Sequence, residues 1–221
     1  MRGCVVFDLD GTLIDSAPIC AEILNAMLSE RGDPAGVTVA QTRPYVTTGA
    51  ALMVAGLLGE RCGEVETALD EFRQRYAALP TPPECLFPGA RRSLAKLRAA
   101  GFSLGVWSNK RQEQCDKVIE ELGLAGDLDA VVGSGPATPL KPDLTGLDLV
   151  LARAGATRLH CCYVGDSEPD HRAALRAGLP LVMMTHGYGD YGRVWPRAVF
   201  CDSFDRLPRI VEGLLPVRNA A

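Results

Sequence analysis

The sequence predicts an α/β protein: a doubly wound, parallel, Rossmann-like sheet that carries a small inserted α-helical domain. Three observations lead there. From residue 87 onward, short β-rich apolar runs alternate with helical patterns, the signature of parallel strands joined by crossover helices. The runs are nearly continuous in hydrophobicity, as strands buried on both faces require. Residues 15 to 80 break this alternation with helical periodicity and no strand pattern.

Taken in order, the strands are read at Cys4–Phe7, Phe102–Trp107, Ala130–Val132, Cys161–Val164 and Leu181–Met184. The helices between them are read at Ala90–Ala100, Gln112–Leu122, Leu144–Ala154 and Asp170–Ala177, with a last one near Arg206–Leu215. Gly101, Gly123, Gly155 and Gly178 each follow a helical pattern, where a left-handed C-cap is expected. In the insertion, Ile19, Ile23, Leu24, Met27 and Leu28, then Leu69, Phe72 and Tyr76, recur at helical spacing. The proline-rich stretch LPTPPECLFPG, residues 79–89, reads as the return linker. These signals divide the chain into a core, 1–14 with 86–221, and an inserted helical domain, 15–85. The tail, 216–221, reads as frayed.

The chain has 221 residues, 47% of them hydrophobic and 23% charged, and a formal net charge of -4. Lysines and arginines are scattered among acids, so no basic stripe points to nucleic acid or an anionic membrane. The eight cysteines form no CxxC pair, and with only three histidines they read as reduced, buried small hydrophobes rather than a zinc site. The apolar run Cys4–Phe7 is too short for a signal segment or a membrane span. A cytoplasmic protein is expected.

In an open parallel sheet, ligands bind beyond the carboxyl ends of the strands. Asp8 and Asp10 follow the first strand, Ser108 and Asn109 the second, and Asp166 and Asp170 the fourth, while Lys141 precedes the helix at Leu144–Ala154. Four carboxylates in one crevice cannot all stay ionised unless a cation joins them. Oxygen donors suit a hard octahedral ion, so Mg²⁺ is the candidate. Such a site fits a phosphoryl group, whose oxygens can meet the metal, Lys141, the Ser108 hydroxyl and backbone N–H groups. Ser108 can also be read as a helix N-cap, and Pro142 as the first residue of a helix. Arg43 and Lys110 are candidates for a substrate carboxylate, and Tyr45, Thr47, Thr48 and Gly49 for a loop over the site. His186 and GYGDYG are read as a rim loop, His160 and His171 as surface residues, and Trp107 as core.

Together DLDGT, SN, KP and GDSEPD, in this order and on these strand ends, resemble the four motifs of haloacid dehalogenase-like phosphohydrolases, from residue 4 to about 190. The resemblance implies that Asp8 is the nucleophile, forming an aspartyl-phosphate, and that Asp10 protonates the leaving oxygen and then activates water. It makes Asp8, the Asp10 backbone carbonyl and Asp166 the Mg²⁺ ligands, with Asp170 in support and Lys141 catalytic. Thr12, Ser108, Asn109, Lys110 and Arg43 are then expected at the substrate. A carboxylate nucleophile splits one hard displacement into two easier ones, and a second carboxylate two residues on can serve as acid and base. Haloalkanoate dehalogenases resemble this pattern but lack the acid at Asp10, so dehalogenation is not expected.

The helical insertion resembles the cap of one subgroup, which closes over the site and favours small phosphorylated metabolites. VVFDLDGTLIDSAP, SNK and KPD are similar to phosphoglycolate phosphatases, although this chain reads GSGPATPLKP where those commonly carry GGDSLP before the lysine. The expectation is Mg²⁺-dependent hydrolysis of a small phosphate monoester by a monomer or homodimer. The alternatives are a phosphoglucomutase-like phosphoryl transfer and a phospho-Asp signalling protein of receiver type. Receivers place their phosphoacceptor after the third strand and have no helical cap.

Overall fold

The computed structural model describes residues 3–193 and 195–215; the tail at 216–221 lies outside them. Six strands form one parallel sheet: β1 (Cys4–Phe7), β2 (Ser103–Arg111), β3 (Ala130–Ser134), β4 (Cys161–Gly165), β5 (Leu181–Met184) and β6 (Ala198–Cys201), in spatial order β3-β2-β1-β4-β5-β6. The order reverses direction at β1, which places Asp8 and Asp10 at the crevice where such sheets bind ligands.

All five strands read from sequence are present, with β2 extended through Arg111. The sixth was missed. It is a four-residue edge strand whose Val199 and Phe200 remain partly exposed, so it shows neither a buried run nor strict alternation.

Successive side chains of each strand point to opposite faces, and the core divides accordingly. One layer joins Val5, Phe7, Leu104, Val106, Cys162 and Val164 to helices α5 (Ala90–Ala99), α6 (Gln112–Glu121) and α9 (Leu207–Leu214). The other joins Cys4, Val6, Trp107, Cys161 and Tyr163 to α7 (Thr145–Arg153) and α8 (Glu168–Ala177). Gly105 permits close approach on this side: a Cβ there would lie 2.4 Å from Val150 Cγ1.

Between β1 and α5 run α1 (Ala17–Glu30), α2 (Val39–Val46), α3 (Ala50–Leu58) and α4 (Val65–Ala78). The stripe Ile19, Ile23, Leu24, Met27 and Leu28 of α1 is buried, as are Leu69, Phe72 and Tyr76 of α4. Both stripes belong to the apolar layer that reaches the sheet. The two connections to the insertion pair with each other: Asp15 N–H donates to Cys85 O (2.7 Å) and Phe87 N–H to Leu13 O (3.0 Å).

Three local expectations fail. Pro142 lies in a turn and the helix begins at Thr145, so the chain reaches helical geometry only after Lys141 has been set in place. Ser108 lies within β2, where its Oγ accepts from Lys110 N–H (3.2 Å), so it caps no helix. His171 is buried rather than superficial, its ring edge-on to Trp195 and its Nε2 3.0 Å from Pro196 O.

All eight cysteines are free and buried. Burial pushes the Cys20 thiol up to about 12 and the Cys85 thiol up to about 11, so neither holds a thiolate at neutral pH. Titration of the native protein with an aromatic disulfide reagent should therefore be very slow, and all eight thiols should react in denaturant. Rapid modification of even one in the native protein would contradict this packing.

Candidate active site

The backbone leaving β1 stays in the sheet for one more residue, because Asp8 N–H donates to Val164 O (2.8 Å). It then folds about one carbonyl: Leu9 O accepts from the N–H groups of Thr12, Leu13 and Ile14 at 3.3, 2.9 and 3.0 Å. Gly11 makes this turn possible. Its φ is +81°, and a Cβ there would lie 2.3 Å from Asp166 Oδ2. The turn separates the two acids, sending Asp8 toward Lys141 and Asp10 toward Lys110.

Lys141 Nζ lies 2.7 Å from Asp8 Oδ1 and 2.7 Å from Asp170 Oδ1, with 1% of its side chain exposed. Its bond to Asp170 is a hydrogen bond; toward Asp8 Oδ1 it has the distance of an ion pair but not the angle of a hydrogen bond. The rings of Trp107 and Tyr163 each stand 5.5 Å from the ammonium. Asn109 Oδ1 accepts from Lys141 N–H (2.7 Å) and fixes the loop that delivers it.

Asp170 is saturated. Its Oδ1 accepts from Lys141 and from the Tyr163 hydroxyl (3.1 Å), and its Oδ2 from Asp166 N–H, Ser167 N–H and Ser167 Oγ. Asp166 accepts from Thr12 Oγ1 (2.9 Å) on one oxygen and from Tyr188 N–H (2.8 Å) on the other. Carboxylate oxygens of Asp8, Asp166 and Asp170 all lie within 4.8 Å of one another, and all three residues are buried.

This crowding dictates the charges. Burial, reinforced by Asp170, raises the Asp8 carboxyl to about 7 although Lys141 opposes the shift. Burial and the neighbouring carboxylates hold Asp166 well above the usual range. For Asp170, burial acts upward too, but Lys141 and the Ser167 donors outweigh it and hold the group low. Lys141 is raised, its own burial overcome by Asp170 and Asp8.

Asp10 has different surroundings. Its Oδ1 accepts from Ser16 Oγ (2.5 Å) and pairs with Lys110 Nζ (3.0 Å), which lies over the Tyr76 ring at 4.6 Å. Above both acids is a cavity of about 260 Å³. Its floor includes Asp8, Asp10, Ser108, Asn109, Lys110 and Lys141. Its roof comes from the helical insertion, including Thr47, Thr48 and Gly49, the α3 residues that follow, and Phe72, Arg73 and Tyr76 of α4.

Two expected substrate contacts are not in this cavity lining. Thr12 is fully buried and its hydroxyl is spent on Asp166. Arg43 pairs with Asp15 at the hinge (2.9 Å), because α2 turns it toward the connection rather than the cavity. Tyr45 likewise packs toward Gly56. Lys110 lines the cavity, but its charge is shared with Asp10. His186 serves the turn as well, with Nε2 3.0 Å from Thr12 O and its ring against Phe87 and Phe204.

Sequence reasoning missed Arg73, Ser16, Tyr163 and Tyr188. Arg73 sits beside Phe72 and one turn before Tyr76, so the α4 periodicity already marked the neighbouring face. Ser16 lies inside the stretch VVFDLDGTLIDSAP and Tyr188 inside GYGDYG, but their hydroxyl partners, like that of Tyr163, are set only by the fold.

The family model described as haloacid dehalogenase-like hydrolase matches residues 5–184. A phosphoglycolate phosphatase of Xanthomonas campestris pv. campestris is 38% identical over 185 residues, 83% of each chain. One of Rhodobacter capsulatus is 35% identical over 96% of this chain and 98% of its own. The crystal structure of a predicted phosphoglycolate phosphatase from Haemophilus somnus 129pt superposes with a TM-score of 0.81 at 24% identity, covering 95% of this chain and 97% of the other, which supports the fold. A match spanning both the sheet and the helical insertion, joined to these close relatives, establishes that the chain belongs to the haloacid dehalogenase-like hydrolases.

Proposed function

We propose that this hydrolase is a phosphatase of the phosphoglycolate phosphatase kind, cleaving a small phosphate monoester through an aspartyl-phosphate on Asp8. The observation that carries the reading is the unlike environment of two carboxylates on one cavity floor. Asp8 faces Lys141 and a buried acid cluster, whereas Asp10 is held by Ser16 and Lys110. Acids placed in different surroundings take different roles.

In the first step a carboxylate oxygen of Asp8 attacks phosphorus and the bond to the ester oxygen breaks. Asp10, as the acid, gives its proton to that leaving oxygen. In the second step water attacks phosphorus, Asp10 takes a proton from it, and inorganic phosphate leaves with Asp8 restored. Lys141 holds Asp8 in line, and the Ser108 hydroxyl and Asn109 face the phosphoryl oxygens. Residues 15–85 act as the cap that keeps bulk water out.

Mg²⁺ fits the buried cluster. Asp8, Asp166 and Asp170 with Lys141 sum to a charge of -2 when ionised, and burial together with that excess raises the Asp8 and Asp166 carboxyls. Oxygen-only donors favour a hard cation. Asp8, Asp166 and the Asp10 carbonyl would hold it, with the saturated Asp170 behind them; when bound it neutralises charge on the phosphoryl oxygens. Eight free thiols support a reducing, cytoplasmic setting. No helix among the described residues is long and apolar enough to cross a membrane. A monomer or homodimer completes this reading.

Asp8→Asn should abolish turnover of an aryl phosphate in the presence of Mg²⁺, and Asp10→Asn should slow turnover by about 10²–10⁴-fold. Rapid quenching of Asp10→Asn with a good leaving group should still trap phosphoprotein; wild-type turnover by Asp8→Asn would remove it as nucleophile.

A second expectation concerns pH. With Asp8 raised from 3.8 to about 7, the metal-free folded state retains a proton that the unfolded chain releases between those values. This group therefore makes stability fall as pH rises through that window. Mg²⁺ should displace the proton, so its increment in Tm should be larger at pH 7.5 than at pH 5. Equal increments would mean that the cation does not bind this cluster.

A further inference from the structure

The cations lining the cavity are Arg73, Lys110, Arg111 and Lys141. Three are spoken for. Lys141 lies between Asp8 and Asp170, Lys110 pairs with Asp10, and Arg111 Nε binds Glu113 at 2.7 Å. Arg73 differs: among the described residues its ion-pair partner is the largely exposed Asp70, reached through Nη1 at 3.2 Å. Its Nε is buried with no hydrogen-bond partner.

Arg73 is also the one charged side chain that the insertion contributes to the lining among the described residues. Around it the roof is apolar, with Val46, Leu52, Met53 and Phe72, and its hydroxyls are those of Thr47, Thr48 and Tyr76. It supplies no carboxylate, carboxamide or imidazole to accept from the hydroxyls of a sugar.

We infer that Arg73 is a specificity-determining residue that binds a carboxylate at the far end of the substrate from its phosphoryl group. The inference rests on the phosphatase reading and assigns one residue of this chain to the carboxylate end of such a substrate. A guanidinium N–H that donates to a carboxylate forms a charge-assisted hydrogen bond, stronger than one between neutral groups. With Nη1 engaged by Asp70 and Nε buried, Nη2 is the donor left among the described contacts to meet a carboxylate in the cavity. The small cavity suits two anionic groups separated by a few atoms. Arg43, the cation expected in this role from sequence, is held by Asp15.

The test uses the full chain with Mg²⁺ and two esters of matched length, 2-phosphoglycolate and ethyl phosphate. Arg73→Gln should raise KM for 2-phosphoglycolate by about 10–100-fold, the loss expected for a hydrogen bond to a charged group. Its effect on ethyl phosphate should be at least tenfold smaller, and Arg73→Lys should recover part of the carboxylate preference. Equal losses on both esters, or no loss on either, would overturn the assignment. Calorimetric binding of 3-phosphonopropionate and propylphosphonate to wild type and Arg73→Gln separates the two readings. If wild type turns over neither ester, the phosphatase proposal fails. The Arg73 assignment then stands or falls on whether the variant loses the preference for the carboxylated phosphonate.

Discussion

The ammonium of Lys141 is buried between the carboxylates of Asp8 and Asp170, and most of the site's geometry follows from accommodating that charge. An unpaired ammonium in this position would be costly, and removing one partner of such a buried pair typically costs about 3–5 kcal/mol. The structure meets the requirement from several directions. Asn109 anchors the lysine's backbone, Trp107 and Tyr163 place their ring faces near its charge, and Asp170 is held rigid by five donors. Asp8 is thereby left with a buried Oδ1 that has an ion-pair neighbour but no well-angled hydrogen bond.

A second constraint is room around Asp166. The Gly11 turn passes directly against its carboxylate, and from the opposite side Gly187 comes so near that a Cβ would lie 2.3 Å from Asp166 Cβ. Small residues on both sides let Thr12 and the Tyr188 N–H reach the carboxylate, one on each oxygen. The segment GYGDYG thus does more than form a rim. Tyr188 donates its hydroxyl to Asp15 at the start of the insertion (2.7 Å), while Tyr191 donates to backbone carbonyls of Asp166 and Met184. The loop ties the acid cluster to the hinge from which the helical roof departs.

The roof and floor divide the chemical work. The floor is crowded with charge already balanced inside the protein, apart from the excess that suits a divalent cation. The roof is apolar except for a few hydroxyls and one arginine. Leu52 of α3 and Leu140 of the Lys141 loop stand exposed at the cavity lining, one from each side.

Much of this was legible in the residue order. The short apolar runs announced five of the six strands, and the sixth escaped because an edge strand need not bury both faces. The helical stripe of the insertion was visible because burial on one side of a helix imposes its period on sequence. Asp8, Asp10 and Asp166 could be picked out because they follow buried strands, and Lys141 and Asp170 because with them they complete the order of the four motifs. Which cation meets which anion could not be read, since pairing depends on distances between segments far apart in the chain. Residue order thus points Thr12 and Arg43 to the substrate although folding commits them to Asp166 and Asp15, and it gives no sign of Arg73. Sequence by itself determined the layered sheet, the inserted helices and the acids at the strand ends, because hydrophobic periodicity and strand termini are local properties. Tertiary structure alone decided which charges were already spent on one another, because electrostatic pairing is settled only when distant side chains meet in a medium of low dielectric.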